Sequence, residues 1–240
     1  IYATIIVKSQ VVSNNLGESE GNLGTLKKIN LNGDSHILMS AETIRLCVRK
    51  GLSNYENTNR YWDETNGMAQ NQWRDPNHGK NKEGNLYIDD DLLGYAMLTN
   101  KKSVVEGEEE TPEEETTGRK KTTNTSKTRR SRIGHSPAIS LLPFAGDRMF
   151  NAASPGATPS TSKRAEANSA PYGVEMIFSP FQYFFAVTPD ALNVPERLRG
   201  IIETHMSLPP VGGKQNAFQN DFSPDSVVFR LTKELCPRIA

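Results

Sequence analysis

The first fifty residues constrain the fold more than any other stretch. Residues 2 to 12 alternate as a strand, with Ala3, Ile5 and Val7 on one face and Thr4, Ile6 and Lys8 on the other. Apolar side chains on both faces predict a central strand. A loop rich in glycine and asparagine follows (Ser13, Asn14, Asn15, Gly17, Gly21, Asn22, Gly24), then a basic run with Lys27 and Lys28. Residues 25 to 39 predict a hairpin around Asn32-Gly33-Asp34, a strong turn signal. Ser40-Ala41-Glu42 then opens a helix, with Ser40 as N-cap and Glu42 near the positive end of the helix dipole. Ala41, Ile44, Cys47, Val48 and Gly51 form its apolar stripe, and Gly51 stands where a C′ glycine belongs.

The rest of the chain alternates between core-forming runs and insertions. Residues 53 to 87 are polar, without a clear period, and contain Tyr55, Tyr61, Trp62, Trp73 and Tyr87. Asp89 opens a short predicted helix carrying Leu92, Leu93, Tyr95, Ala96 and Met97. Residues 99 to 135 are of low complexity and are expected to lack order without a partner. A strand is predicted over 137 to 144, and a flexible insertion over 151 to 171. The runs GVEMIF and QYFFAV predict a strand pair that bends at Ser179-Pro180-Phe181. Asn193 and Pro195 open a helix with Leu198, Ile201, Ile202, His205 and Met206 on its buried side, ended by Leu208-Pro209-Pro210. The run SVVFRL is a last strand. Without the insertions the order is strand, helix, two strands, helix, strand, as in ferredoxin-like and RRM folds. Unrelated α+β folds share that order.

Composition narrows the function classes. Only 35% of residues are hydrophobic, and the mean hydropathy is −0.58. Such a chain has much surface that is loop or meets a partner. The 28 basic and 28 acidic residues cancel, which by itself argues against a nucleic-acid protein. The cancellation is partly local: residues 106 to 115 hold seven glutamates, and residues 119 to 132 hold seven bases. A groove can therefore be basic inside a neutral whole, because phosphate attraction acts over about a Debye length. Cys47 and Cys236 form no CxxC pattern, which suits reduced thiols as well as a disulfide. The opening IYATIIVKSQ lacks a signal-peptide pattern, and no apolar run reaches the ~20 residues of a membrane helix. These features place the expectation in the cytoplasm, away from membranes.

Several motifs allow two readings. The 13–24 loop is either an ordinary turn or a place where a backbone nears a ligand closely and amides reach phosphate or sugar oxygens. Arg45 and Arg49 lie one helical turn apart on one face, as a pair gripping successive phosphates or as a solvated basic edge. Gly212, Gly213, Lys214, Gln215 and Phe218 stand in a long loop that either contacts nucleic acid or merely connects helix to strand. Residues 119 to 132 read as a nucleic-acid arm or a solvated loop. Arg60, Tyr61, Trp62 and Trp73 suit base stacking, but the core of a small inserted lobe is favoured for them. Asp89-Asp90-Asp91 reads as a helix cap more than as a divalent-ion site. No Walker A, GxGxxG, HExxH or GxSxG pattern is present, and the four histidines lack metal spacing. No cofactor and no metal is expected. The RNP pattern of RRM proteins is also missing, so RNA binding across the sheet face is not expected.

The run Val12-Ser13-Asn14-Asn15…Glu20-Gly21-Asn22…Ser40-Ala41-Glu42…Ile44-Arg45 resembles the DevR-type backbone subunit of type I CRISPR surveillance (Cascade) complexes, in particular the I-B-like group. Leu208-Pro209-Pro210…Phe222-Ser223-Pro224-Asp225-Ser226-Val227-Val228-Phe229-Arg230 is also similar to that family. The likeness covers roughly residues 2 to 52 and 172 to 238. It implies an α+β protein that is not an enzyme. Its RRM/ferredoxin-like palm, an antiparallel sheet with two helices, would comprise residues 1–52 and 136–240, with a thumb loop near 208–221. A large inserted finger lobe would comprise residues 53–135. The resemblance further implies a subunit that polymerises along guide crRNA in a helical filament, alongside other Cascade subunits. Target DNA would be met through the guide, in prokaryotic antiviral defence. RNA-binding positions would be Ser13, Asn14, Asn15, Gly21, Asn22, Ser40, Arg45, Arg49, Gly212, Gly213, Lys214 and Gln215, with Phe218 as the thumb wedge. Two rival readings are a ferredoxin-like RNA endonuclease that processes guide precursor and a nucleic-acid-binding regulator.

Overall fold

A computed structural model of the chain describes residues 1–13, 15–20, 23–63, 70–99, 125–153, 170–211 and 220–234. It is a mixed α+β structure with few helices and mostly antiparallel sheet. The strand β1 (Tyr2–Val12) has the extent its alternation predicts. It buries Ala3, Ile5 and Val7, while Ile6 on the other face is exposed. After β2 (Asn15–Glu20) and β3 (Leu23–Leu26) come β4 (Lys28–Leu31) and β5 (Asp34–Met39), the expected hairpin. Asn32 and Gly33 take φ of +54° and +99°. Two such residues in the left-handed region form the turn whose twist matches the flanking strands. The helix α1 (Ala41–Leu52) follows, and the Ser40 side chain accepts from the Thr43 amide as an N-cap should.

Gly51 is not the C′ residue expected of it. It lies inside the last turn of α1, buried, and a Cβ there would stand 2.5 Å from Thr204 Cγ2. The glycine serves close helix packing, not chain reversal.

The middle of the chain supplies β6 (Arg60–Asp63), β7 (Gln70–Trp73), α2 (Ile88–Leu93), β8 (Tyr95–Thr99) and β9 (Thr125–Arg129). Strands β6 and β7 pair as one hairpin, β8 and β9 as another. The helix expected to continue through Tyr95, Ala96 and Met97 stops at Leu93. Gly94 turns the chain at φ +69°, and a Cβ there would meet the Arg129 carbonyl at 2.3 Å. Order also returns earlier than expected, since β9 and β10 (Ile133–His135) lie within the 99–135 stretch. Residues 100–124 of that stretch are outside the described residues, as are 154–169 of the second insertion.

The remaining elements are β11 (Ala138–Ser140), β12 (Arg148–Ala153), β13 (Ala170–Glu175), β14 (Ile177–Val187), α3 (Arg197–Met206) and β15 (Ser226–Arg230). The expected break at Ser179-Pro180-Phe181 falls instead at Met176, between β13 and β14, and Ser179-Pro180-Phe181 lies inside the continuous strand β14. Its register against β1 shifts between Val7 and Gln10, opposite Ser179 to Phe181. Pro180 thus falls at the bulge, where its missing N–H breaks no regular ladder. Helix α3 begins at Arg197, later than Asn193 and Pro195 predict. The Asn193 amide donates to Asp91 instead.

The main sheet runs β15-β1-β14-β11-β5-β4, with β10 also on β14, and every pairing in it is antiparallel. Phe181, Tyr183 and Phe185 of β14 join Ile44, Val48 and Leu52 of α1 and Ile201 of α3 in one core beneath one face of this sheet. A second sheet, β12-β13-β3-β2, contains a parallel pairing between β13 and β3.

Candidate nucleic-acid interface

The stem of the 212–219 segment packs against one end of β1 and against α1. The Gln10 amide donates to the Asp221 carbonyl at 2.6 Å, and the Asp221 amide donates back to Gln10 Oε1 at 3.0 Å. One residue earlier, Asn220 bridges to Val211 in antiparallel fashion and closes the base of the 212–219 loop. Helix α1 touches that base through Cys47 Sγ, which donates to the Pro210 carbonyl at 3.5 Å. The chain leaving β1 and the chain leaving α3 therefore pass side by side here; the first, expected as a loop over 13–24, instead forms the paired strands β2 and β3.

The individual positions are less uniform. Ser13 is fully buried, and its hydroxyl donates to the Glu175 carbonyl at 2.9 Å. Glu175 also accepts from the Leu26 amide and from Lys28 Nζ, a latch that ties the second sheet to the main one. Asn15 begins β2 and pairs with Leu26. Ser40 caps α1. Asn14, Gly21, Asn22, Gly212, Gly213, Lys214, Gln215 and Phe218 lie outside the described residues, as does Cys236.

Arg45 and Arg49 do share a face of α1, and that face looks onto α2. Arg45 donates to the Leu93 carbonyl, and Arg49 Nε reaches Asp89 Oδ2 at 3.2 Å. Burial and the nearby Arg49 lower the Arg45 pKa. The partners come from a buried acidic triplet. Asp89 also accepts from the amides of Asn59 and Arg60. Asp90 accepts from Asn59 Nδ2 at 2.7 Å and meets His78 Nδ1 at 2.9 Å. Asp91 accepts from Arg129, from Arg197 Nη1 at 2.9 Å and from the Asn193 amide. The three aspartates were expected to cap a helix, but no side-chain cap bond is formed at α2. Buried carboxylates need paired donors. Each aspartate here finds them on a different segment, so α2 becomes a hub. Burial and the neighbouring Asp89 raise the Asp90 pKa.

The same hub takes up one base of the described part of the basic block, and a second is held nearby. Arg129 pairs with Asp91, and Lys127 Nζ donates to the carbonyls of Asn77 and His78. Residues 125–129 are a strand, not a free arm.

Around the β6–β7 hairpin, His78 is sandwiched between Trp73, edge-on at 5.1 Å, and Tyr95, stacked at 4.0 Å. That trio is the local core. Tyr61 and Trp73 nevertheless remain 37% and 42% exposed. The lobe-core role favoured for them at the sequence level is therefore incomplete. They line an open cavity of about 740 Å³ together with Arg74, Asn81, Asn85 and Tyr87.

Sequence spacing missed one contact altogether. His135 and His205, seventy residues apart, meet Nε2 to Nε2 at 3.0 Å beneath Phe185. His205 Nδ1 lies 2.7 Å from the Ile201 carbonyl and must donate to it. Its Nε2 is then an acceptor, so His135 Nε2 donates and His135 Nδ1 is a buried lone pair without a partner. Burial lowers the His205 pKa to about 4, and burial, then His205, then Arg45 push His135 well down. The pair is packed and neutral, not an exposed general base. Among the described residues no group of three or more His, Cys, Asp or Glu side chains can hold a metal, and no helix is long and apolar enough to cross a membrane.

The described residues thus form a mixed α+β body in which the stem at Val211 and Asn220 stands beside the end of its central strand. The chain is 41% identical to the CRISPR-associated protein Cas7/Cst2/DevR of Myxococcus xanthus (strain DK1622), over all of this chain and 74% of that protein. The chain belongs to the Cas7/Cst2/DevR family. Its fold is shared with a chain of a "CRISPR RNA-guided surveillance complex, pre-nicking", at a TM-score of 0.54 and 10% identity, covering 94% of this chain and 76% of that one. A chain of a second "CRISPR RNA-guided surveillance complex" aligns at a TM-score of 0.48 and 14% identity, covering 95% and 68%. No family model matches.

Proposed function

We propose that this chain is a non-catalytic subunit of a CRISPR surveillance complex that binds guide crRNA along its backbone, whatever its sequence, and polymerises on it head to tail. The observation that carries the reading is the 41% identity along the whole chain to a Cas7/Cst2/DevR protein. Two features of the structure support it. The order β15-β1-β14-β11, with α1 and α3 as the crossovers, fits a ferredoxin-like palm. The Val211–Asn220 stem of the 212–219 segment also stands beside the end of β1, from which the 13–22 segment continues, as a palm segment and a thumb holding one strand require. In this reading residues 1–52 and 136–240 are the palm, residues 53–135 the finger lobe, and Phe218 the wedge in the guide–target duplex. Asn14, Asn15, Gly21, Asn22, Ser40, Arg45, Arg49 and residues 212–215 line the guide path. Target sequence is read by base pairing, and the complex works in the prokaryotic cytoplasm.

The test mixes the purified chain with single-stranded RNAs of increasing length and unrelated sequence, and weighs the product. Bound mass should rise in steps with RNA length, independent of sequence, with the RNA intact. Cleaved RNA would hand the function to the endonuclease reading, and binding confined to one duplex sequence to the regulator reading. An Arg45→Glu/Arg49→Glu double variant should weaken binding and flatten its salt dependence. Because Arg49 also pairs with Asp89, its denaturation midpoint must be measured alongside.

A further inference from the structure

The open cavity beside the β6–β7 hairpin has a chemistry that neither the palm nor the thumb accounts for. Its walls present the exposed rings of Tyr61 and Trp73, with Tyr87 nearby. The Arg74 guanidinium lies 4.7 Å from the Tyr61 ring centroid, and its Nε donates to the Thr58 carbonyl at 2.8 Å. Among the described residues no carboxylate pairs with Arg74. Its charge meets a carbonyl and a π face and stays available to an anion. Arg197 at the floor is different, held by Glu56 and Asp91. The rim is built rather than loose. Asn81 Oδ1 accepts from the amides of Glu83 and Asn85, and Gly84 takes φ +81° to close that turn. Asn57, Asn81 and Asn85 stand around the opening, together with the oppositely charged neighbours Lys82 and Glu83. The volume, about 740 Å³, falls in the range of about 300–1,000 Å³ typical of small-molecule sites.

We infer that this cavity seats one unpaired base of a single-stranded nucleic acid, stacked on Tyr61 or Trp73, with its phosphate on Arg74. Flat aromatic faces accept any base, because every base has a π face. Asparagine amides offer both donors and acceptors to base edges without fixing one identity. Stacking rings, amides and the Arg74 guanidinium, which no carboxylate among the described residues pairs, suit a nucleotide better than an apolar side-chain anchor, and Lys82 and Glu83 beside each other leave Arg74 as the cation for the phosphate. The inference rests on the reading that this chain handles nucleic acid, but it concerns the lobe between α1 and β10, not the guide path of the palm.

Trinucleotides test it, since they are too short to drive stepwise assembly. The chain's two tryptophans are Trp62 and Trp73, so a Trp62→Phe background leaves Trp73 as the sole indole reporter. RNA and DNA trimers should each be titrated against the full chain while its fluorescence is read. Saturable quenching is expected. Tyr61→Ala should weaken binding about tenfold or more, and Tyr61→Phe should retain it. Arg74→Ala should weaken binding and reduce its salt slope by about one. Circular dichroism of each variant checks the fold. Quenching by RNA alone assigns the seat to guide-like strands, by DNA alone to target-like strands, and by both to either; all three support the inference. Two results overturn it: no saturable quenching by either trimer, or shielding of Trp73 only when another protein subunit is added without nucleic acid. RNA-length assembly without trimer binding refutes this seat alone. Trimer binding without assembly refutes the filament reading and leaves the seat standing.

Discussion

At the scale of single residues, the His135–His205 pair has the clearest consequence for pH. Both rings are neutral in the folded chain, with the His205 pKa near 4 and that of His135 well below its usual value. In the unfolded chain each binds a proton near pH 6.5. The contribution is therefore complete above that value and is lost as pH falls below it, until His205 itself titrates near 4. From pH 6.5 to 5 the loss from His205 is about 2 kcal/mol, and His135 adds to it in the same direction. Urea midpoints at pH 7.5, 6.5 and 5.5 should show the decline setting in below 6.5. A His135→Leu/His205→Phe double variant should shrink it, while an unchanged pH slope would place the sensitivity in other groups. Asp91 gives a second expectation. It faces Arg129 and Arg197 with its own side chain buried, so Asp91→Ala strands Arg129 and leaves Arg197 with Glu56 alone. The cost should be about 3–5 kcal/mol, read from the same urea titrations.

Secondary-structure elements separate what the sequence displays from what only packing decides. Strand β1, the Asn32-Gly33 turn and the Ser40 cap follow from local chemistry, and residue order alone places them. The end of α2, the continuity of β14 and the role of Gly51 do not, because each depends on a distant segment: Arg129 against Gly94, the β1 bulge against Pro180, and Thr204 against Gly51. The histidine pair and the aspartate hub were hidden for the same reason. Of the candidate interface, the Gly/Asn loop and the loop after α3 were visible as composition, while their shared root at Gln10 and Asp221 was not. The α1–α3 contact can be tested directly. Alanine normally favours a helix over glycine by about 1 kcal/mol. At position 51 the added Cβ meets Thr204 Cγ2 at 2.5 Å, and Thr204 is buried and stiff. Gly51→Ala should thus destabilise by about 1–3 kcal/mol. Adding Thr204→Ala should restore most of the loss. A stabilised single variant would mean that the helices part without cost.

Across the whole molecule, the candidate thumb, residues 212–219, is carried on a stem that belongs to the core. Its stem, Val211 and Asn220, is buried and bridged, and Phe222 just beyond it accepts from Tyr183 through its carbonyl. Bridged antiparallel neighbours can be joined by a two-residue Asn-Gly turn. Replacing residues 212–219 with that turn should leave the urea midpoint within about 0.5 kcal/mol of the parent, as surface changes do. Stepwise RNA assembly should survive in weakened form, because the 13–22 loop and α1 remain. The guide–target duplex should change more. If Phe218 is a wedge, a 2-aminopurine walked along the target strand brightens at regular intervals on the parent filament, where a base is unstacked. On the loop-replaced filament the walk should be flat, and Phe218→Ala should lie between the two. A periodic signal that persists without residues 212–219 would remove the wedge from this loop. A flat signal in both, with assembly intact, would mean that this chain holds a guide without interrupting its duplex.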